Sequence, residues 1–289
     1  MRKAVVTISI GNQHQSVGQI TVPEICKYAH RIGAEFELIT EKKVNLATPH
    51  FEKFQLFDLL EKYDRILFID NDVIITPGCP DIFEAVKETE IGVFHVHEVN
   101  PVFDPAIREA QDILGEIGWT KRYFNSGVMV VSKAHRKLFE RAEDLVLWAE
   151  EPRRYCEQTL LNYRVVKQKH QVRDFGYRFN HVPPVKEHDR LQSHIIHYAA
   201  FGHAPGNRFE QIVRDMQALG MISRADTGRR TVRVWSSLYF LFRRRFLLLR
   251  HIGLIRAVWA CCPALLKRAR RRKKHEQLAR TAKGKGRRW

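Results

Sequence analysis

The chain has 289 residues, of which 44% are hydrophobic, and this is enough for one sizeable core or at most two small ones. Its formal net charge is +17, but residues 223–289 hold 21 of the 49 Lys and Arg residues and only two of the 32 Asp and Glu residues. The first 222 residues are therefore nearly neutral, and the basic excess lies at the end of the chain.

Cysteine usage and apolar run lengths bear on the compartment. The five cysteines show neither metal-binding nor disulfide-framework spacing, which favours a reducing environment. The basic N-terminal stretch runs into polar sequence without a small-residue cleavage site, so no signal peptide is predicted. No stretch approaches the roughly 18 apolar residues that cross a bilayer. We therefore expect a cytoplasmic location.

Strand-like and helix-like segments alternate along the first half of the chain. In order they are a strand at Ala4–Ile10, a helix at Val22–Ile32, a strand at 35–40, a helix at Phe51–Glu61 and a strand at 65–70. Later segments indicate strands at 91–96 and 126–132 and helices at 135–151 and 156–168. The alternation predicts an α/β fold with a Rossmann-like, mostly parallel central sheet and flanking helices.

Two carboxylates, Asp70 and Asp72, follow the apolar run Ile66–Ile69, which is typical of a central strand covered on both faces. Ligands of parallel sheets bind beyond the carboxyl ends of the strands. In the turn after the strand, these two carboxylates can converge on one hard divalent cation. The alternative is an acidic turn that only caps the strand.

Four segments in this order resemble glycosyltransferase family 8 and related GT-A enzymes. They are the run from Phe51 to Glu84, which contains "FIDND", and then "YFNSGVMVVS", "CEQTLLNY" and "HIIHYA". The resemblance extends over about Lys3 to Pro205 and is carried by the order of the segments more than by any one of them. It implies a GT-A domain over residues 1–222 that transfers a sugar from a nucleotide-sugar, by resemblance a UDP-sugar.

The resemblance also implies a metal site. Asp70 and Asp72 match the family's metal-binding pair and His197 its third ligand, so that Mn²⁺ or Mg²⁺ is the expected cofactor. Lys53 matches a basic residue near the nucleotide-sugar, where a cation would help to hold the diphosphate. Taken alone, His197 would be a structural histidine and Lys53 a solvated lysine on a helix face.

Other matched positions imply contacts with the donor. Residues assigned to the nucleotide part are Ile8, Ser9, Ile10, Asn12 and Asn71. Residues assigned to the donor sugar are Asn125, Ser126, Gly127, Glu157 and Gln158, of which Asn125, Glu157 and Gln158 are the candidate catalytic residues. Two alternatives remain: residues 12–14 form only a polar turn, and residues 157–158 only begin a helix, where an acid suits the dipole.

The chain departs from the family at the late motif H-x-x-G-x-x-K. The matching residues here are His197, Ala200 and His203. The lysine's role in neutralising the departing diphosphate passes to His203, His194 or Arg208, or to no residue. Retention of anomeric configuration is implied by resemblance, and both front-face attack and a covalent intermediate remain open.

The C-terminal segment 223–289 interleaves Arg with Trp, Phe and Leu, which favours basic amphipathic helices lying in a membrane interface. Its longest uncharged runs are about half a membrane span. The alternatives are ordinary helices packed on the body with a basic end, or a nucleic-acid-binding tail, which we consider the weaker since such tails seldom carry so many large apolar residues. We expect a protein peripheral on the inner face of the membrane and no nucleic-acid partner.

The sequence thus favours a glycosyltransferase acting on a glycan or glycolipid acceptor, such as a lipopolysaccharide core. Two alternatives are a self-glycosylating enzyme similar to glycogenin and a catalytically silent glycan-binding or membrane-scaffold protein. The second is kept open by the altered H-x-x-G-x-x-K motif.

Overall fold

A computed structural model describes residues 1–153, 155–200, 202–204 and 207–223, and for residues 12–15, 98 and 101 it describes the backbone alone. Apart from its first residue, the basic amphipathic segment expected at 223–289 lies outside the described residues. Within the described part, no helix combines the length and the apolar character needed to span a bilayer.

The described residues form one six-stranded sheet and one two-stranded ribbon. The strands are β1 (Lys3–Ile8), β2 (Glu35–Ile39), β3 (Arg65–Ile69), β4 (Val73–Ile75), β5 (Glu90–Phe94), β6 (Asn125–Ser132), β7 (Gln171–Asp174) and β8 (Ile195–His197). The sheet order is β2-β1-β3-β6-β5-β7, and β6 runs antiparallel to both of its neighbours while the other pairs are parallel. The mostly parallel sheet predicted from the βα alternation is confirmed.

Helices connect and flank these strands. The α-helices are α1 (Asn12–Arg31), α2 (Leu56–Lys62), α3 (Asp104–Leu114), α4 (Glu143–Ala149), α5 (Cys156–Lys167) and α6 (Arg208–Ala218). Among the 3₁₀ segments, Pro49–Gln55 leads into α2 and Lys133–Phe139 precedes α4. The helix expected at Phe51–Glu61 is therefore 3₁₀ in its first half.

The first helix begins ten residues earlier than the sequence indicated. It was expected at Val22–Ile32, but α1 starts at Asn12 and carries Pro23 in its interior. Proline is favoured in the first turn of a helix and disfavoured in its interior, so Pro23 indicates a helix that begins near residue 22. The alternative of a polar turn at residues 12–14 is wrong, because those residues are helical.

The long helix expected at 135–151 is interrupted. Glu140 has an extended conformation, with φ −64° and ψ 138°, between the 3₁₀ segment and α4. The buried Arg164 side chain donates hydrogen bonds to the carbonyls of Leu138 (2.7 Å) and Glu140 (2.8 Å) and pairs with Asp144 (2.5 Å). Carbonyls that would have accepted helical bonds are thus satisfied by a guanidinium from α5, a contact that local periodicity does not reveal.

Strand β3 lies between two hydrophobic layers. Its side chains alternate, with Ile66 and Phe68 in one core cluster and Leu67 and Ile69 in the other, and all four are fully buried. Each such side chain stabilises the fold by about 1.5–3 kcal/mol through burial. The central position predicted from the apolar run is confirmed, and it fixes where the residues after β3 emerge.

The ribbon of β4 and β8 brings distant parts of the chain to that point. Val73 pairs with His197 in antiparallel register, and the Tyr198 N–H donates to the Asp72 carbonyl at 2.9 Å. The last residue of β8 therefore lies beside the turn that follows β3. Residues about 125 positions apart in sequence meet at the edge of the sheet where parallel strands end.

Candidate active site

A cavity of about 700 Å³ opens at the carboxyl ends of β1 and β3. Eleven of the residues assigned from the sequence to the donor or metal site line it: Ile8, Ile10, Lys53, Asp70, Asn71, Asp72, Asn125, Ser126, Glu157, Gln158 and His197. These residues come from six separate stretches of the chain. The fold therefore brings most of the predicted site residues to one place.

Asp70, Asp72 and His197 form a cluster at the cavity wall. One ligand atom from each lies within 4.8 Å of the others, and His197 Nε2 is 3.8 Å from Asp70 Oδ2 and 3.4 Å from Asp72 Oδ1. Atoms bound to one ion at about 2.0–2.6 Å lie no more than about 5 Å apart. Two carboxylates and an imidazole suit a divalent cation such as Mn²⁺ or Mg²⁺, so the residues present fit the expected metal.

The ring of His197 is oriented by a chain of amide groups. The Gly127 N–H donates to Asn125 Oδ1 (2.9 Å), so the group of Asn180 that faces this oxygen (3.0 Å) is its NH₂. Asn180 Oδ1 therefore faces His197 Nδ1 (2.9 Å) and accepts its hydrogen. With the Nδ1 hydrogen bound to Asn180, Nε2 faces the carboxylates: it donates a hydrogen to them when the ring carries a second proton, and it offers its lone pair to a metal ion when the ring is neutral.

Gly127 leaves room for this cluster. A Cβ built on Gly127 would lie 2.1 Å from His197 Cε1 and 2.8 Å from Asp70 Oδ2. Gly127 itself is not among the described residues that line the cavity. Because it has no side chain, Gly127 lets β6 pass close to Asp70 and His197.

Lys53 is tied into a buried ionic group next to the cluster. Its Nζ lies 3.3 Å from Asp70 Oδ1 and donates to Glu157 Oε1 (2.8 Å) and Ser126 Oγ (3.0 Å), and the residue is only 2% exposed. Burial lowers the pKa of Lys53, but Asp70 and Glu157 outweigh burial and hold the pKa above its ordinary value. The alternative that Lys53 is a solvated lysine on a helix face is wrong.

Glu157 and Asp72 remain ionised for similar reasons. Burial raises the pKa of Glu157, but Lys53 and then His50 outweigh it and lower the pKa to about 2. Burial also raises the pKa of Asp72, and His197 and Arg208 hold it well below the usual range. Both carboxylates are therefore negatively charged in the folded protein at neutral pH.

Gln158 and Asn125 present polar groups at the cavity wall. Gln158 Oε1 accepts from the Ser126 N–H and from Asn125 Nδ2, both at 3.0 Å. These contacts fix the orientation of both amides. Carbonyl and amide groups held in this way can bind hydroxyls of a bound sugar.

The residues at the end of β1 differ in their placement. Ile8 and Ile10 line the cavity, whereas Ser9 is 2% exposed and is not among the described lining residues. Asn12 begins α1, and its side chain lies outside the described residues. Asn71 lines the cavity and is 2% exposed.

The altered late motif has a distinct geometry. Ala200 has φ +55°, a left-handed conformation that favours the glycine of the family pattern. His203 Nε2 lies 3.0 Å from the His197 carbonyl, and burial together with His181 lowers the pKa of His203 to about 4. His203 is thus neutral at pH 7 and is not among the described residues that line the cavity.

Sequence reasoning missed Asn180, which is fully buried and bridges His197 and Asn125. No local signal marks it, because its partners are 17 and 55 residues away in sequence. Arg208 was named only as one of several replacements for the missing lysine. It lines the cavity and donates to Asp72 Oδ2 at 2.7 Å.

Solved structures of other proteins share this fold. The chain resembles the galactosyltransferase LgtC, crystallised with donor and acceptor sugar analogs, at a TM-score of 0.50 and 13% identity, over 78% of this chain and 99% of that one. It resembles the bifunctional glycosyltransferase WbbM at a TM-score of 0.51 and 11% identity, over 74% of this chain and 49% of that one. No curated protein matches significantly. The fold is that of a GT-A glycosyltransferase.

The sequence profile named Glycosyl transferase family 8 matches residues 11–204, which is more than half of the chain. The chain therefore belongs to glycosyltransferase family 8, and it is an enzyme that transfers glycosyl groups. The resemblance stated from the four ordered sequence segments is confirmed.

Proposed function

We propose that this enzyme transfers a sugar from a UDP-sugar to a glycan or glycolipid acceptor in a reaction that depends on Mn²⁺ or Mg²⁺. The observation that carries the proposal is the cluster of Asp70, Asp72 and His197 at the wall of a cavity of about 700 Å³. The cavity has the size of a site for a drug-sized ligand, and it lies where ligands of open α/β sheets bind.

The residues around the cluster have separate roles in this proposal. A divalent ion bound there supplies a Lewis acid that stabilises the negative charge of a departing diphosphate. Lys53 fixes one oxygen of Asp70, and Asn180 fixes the ring of His197. Asn125 and Gln158 orient hydroxyls of the donor sugar. The site is preorganised, so little reorganisation accompanies the reaction.

The carboxylates favour retention by front-face attack. The described carboxylates that line the cavity are Asp70, Asp72 and Glu157. The first two belong to the metal cluster, and Glu157 is bound to Lys53 and Ser126. None of these three is left over as a nucleophile for a covalent intermediate, so we propose that the acceptor attacks on the face that the diphosphate leaves.

We also propose that the enzyme works at the inner face of the membrane, held by the basic segment 223–289, on a membrane-bound acceptor of the lipopolysaccharide type. The support is the charge distribution, since the first 222 residues are nearly neutral. Self-glycosylation on tyrosine has less support in the described part of the chain, where five of the seven tyrosines are buried.

A panel of nucleotide-sugars tests the donor assignment. We expect slow release of UDP from one UDP-sugar in the presence of Mn²⁺, its loss in EDTA, and its loss in Asp72→Asn. Asp58→Asn, which changes an exposed acid on α2, serves as the matched control and retains activity. Turnover of a donor with EDTA present, or full activity of Asp72→Asn, contradicts the proposal.

A further inference from the structure

Arg208 is a cation placed directly beside the metal cluster. Its Nη1 donates to Asp72 Oδ2 at 2.7 Å and to the Tyr198 carbonyl at 3.4 Å. The side chain is 24% exposed and lines the cavity. Arg208 is also the first residue of α6, where the helix dipole disfavours a positive charge. Helix stability therefore does not account for an arginine at this position.

Two other basic side chains that line the cavity are held by partners of their own. Lys53 lines the cavity but is only 2% exposed, and its Nζ is bound by Asp70, Glu157 and Ser126. Arg153 lines the cavity, but its guanidinium donates to Glu109 Oε1 (3.1 Å) and to the Trp148 carbonyl (2.6 Å).

Neither His203 of the altered motif nor the nearby His194 takes the place of the family's lysine at the cavity wall. His203 points at the backbone of His197 and is not among the described residues that line the cavity. His194 packs against Phe179 and is likewise not a described lining residue. Arg208, by contrast, contacts the Asp72 carboxylate and is also exposed to the cavity.

This placement has opposite consequences for a metal ion and for a phosphate. A guanidinium on Asp72 repels a second cation at the cluster and holds one carboxylate oxygen. A negatively charged diphosphate is instead attracted to Arg208, because arginine forms charge-assisted, often bidentate hydrogen bonds with phosphate oxygens. The same side chain therefore disfavours the ion alone and favours the ion together with a diphosphate.

We propose that Arg208 is the catalytic cation that binds the β-phosphate of the departing nucleoside diphosphate, transferring its hydrogen bond from Asp72 to the phosphate when nucleotide and ion bind together. This inference rests on the proposed function. In the transfer, the bond between the anomeric carbon and the β-phosphate oxygen breaks, and its electron pair remains on that oxygen beside Arg208. The acceptor oxygen bonds to the anomeric carbon, and its proton passes to the departing phosphate.

Calorimetric titration of the full-length protein with three ligands tests the inference. In Arg208→Gln we expect UDP, titrated with saturating Mn²⁺, to bind roughly 10- to 100-fold more weakly, the loss of a hydrogen bond to a charged group. UMP, which lacks the β-phosphate, binds as in wild type, and Mn²⁺ alone binds at least as tightly. Arg208→Lys, which keeps the charge, loses less UDP affinity.

The matched control is Arg214→Gln, which removes an exposed arginine from the same helix and leaves all three titrations unchanged. Equal weakening of UDP and UMP overturns the inference, as does weaker binding of Mn²⁺ alone, because both results indicate that Arg208 only supports Asp72. Absence of Mn²⁺-dependent UDP binding in wild type overturns the proposed function, and this inference with it.

Discussion

At the scale of single residues, Asn180 determines whether His197 can act as a ligand. It accepts the Nδ1 hydrogen of His197 and is itself oriented by Asn125, whose oxygen is fixed by the Gly127 N–H. Residues that orient a ligating histidine commonly matter nearly as much as the ligand. The cluster thus depends on a backbone group of β6 as well as on its three ligands.

We expect Asn180→Ala to weaken Mn²⁺ binding about 10- to 100-fold, because the His197 ring loses its orientation and its preferred tautomer. Calorimetry with Mn²⁺ alone measures this directly. Urea unfolding shows whether the variant still folds cooperatively. A folded Asn180→Ala protein with wild-type Mn²⁺ affinity contradicts the role given to Asn180.

His135 links stability to pH at a point away from the active site. Its Nδ1 accepts from the Ser132 N–H at 3.0 Å, so protonation of Nδ1 breaks a backbone hydrogen bond. Burial, followed by His170, lowers the pKa of His135 from 6.5 to about 4. Between pH 6.5 and about pH 4, His135 is protonated in the unfolded chain and neutral in the folded protein. The free energy of unfolding therefore decreases as pH falls through this range.

From pH 7 to about pH 4.5 this histidine alone is expected to remove about 2 kcal/mol of stability. His135→Asn keeps an acceptor for Ser132 without the titration, so its free energy of unfolding depends less steeply on pH. Urea unfolding at both pH values compares the two proteins. An identical pH dependence in wild type and variant shows that His135 is not responsible.

At the scale of secondary structure, β6 passes so close to the cluster that only glycine fits at position 127. In Gly127→Ala we expect at least about tenfold weaker Mn²⁺ binding, because the new methyl group displaces His197 and Asp70. Overpacking should also cost about 1–3 kcal/mol of stability. Gly78→Ala is the matched control, since a Cβ there meets no atom within 4 Å. Unchanged Mn²⁺ affinity in Gly127→Ala contradicts this geometry.

Elements whose signals are local could be predicted from the sequence, and those determined by distant contacts could not. The apolar run of β3 predicts a central strand, since burial on both faces leaves a direct trace in composition. The break at Glu140 depends on Arg164, and the early start of α1 is hidden by Pro23. The Asp70 and Asp72 pair was visible, but Asn180 is brought to the site only by the fold.

At the scale of the whole molecule, the chain combines a nearly neutral body with a strongly basic C-terminal segment. Each Lys or Arg close to an anionic bilayer contributes about 1 kcal/mol of attraction. We expect the full-length protein to sediment with vesicles rich in anionic lipid at low salt and to be released at high salt. The triple variant with Glu at Arg243, Arg244 and Arg245 should bind them more weakly.

A DNA retardation assay at the same salt concentrations distinguishes the rival partner. Retention of DNA at a salt concentration that releases the vesicles favours nucleic acid instead. No sedimentation with anionic vesicles even at low salt contradicts the membrane proposal.

The central claim is that one divalent ion, held by Asp70, Asp72 and His197, binds a nucleoside diphosphate in the cavity. The most direct measurement is the melting temperature of the full-length protein with UDP, with Mn²⁺ and with both together. A ligand that binds only the native state raises this temperature by mass action. The account predicts that UDP and Mn²⁺ together raise the melting temperature by more than the sum of their separate shifts. No shift with the two ligands together contradicts it.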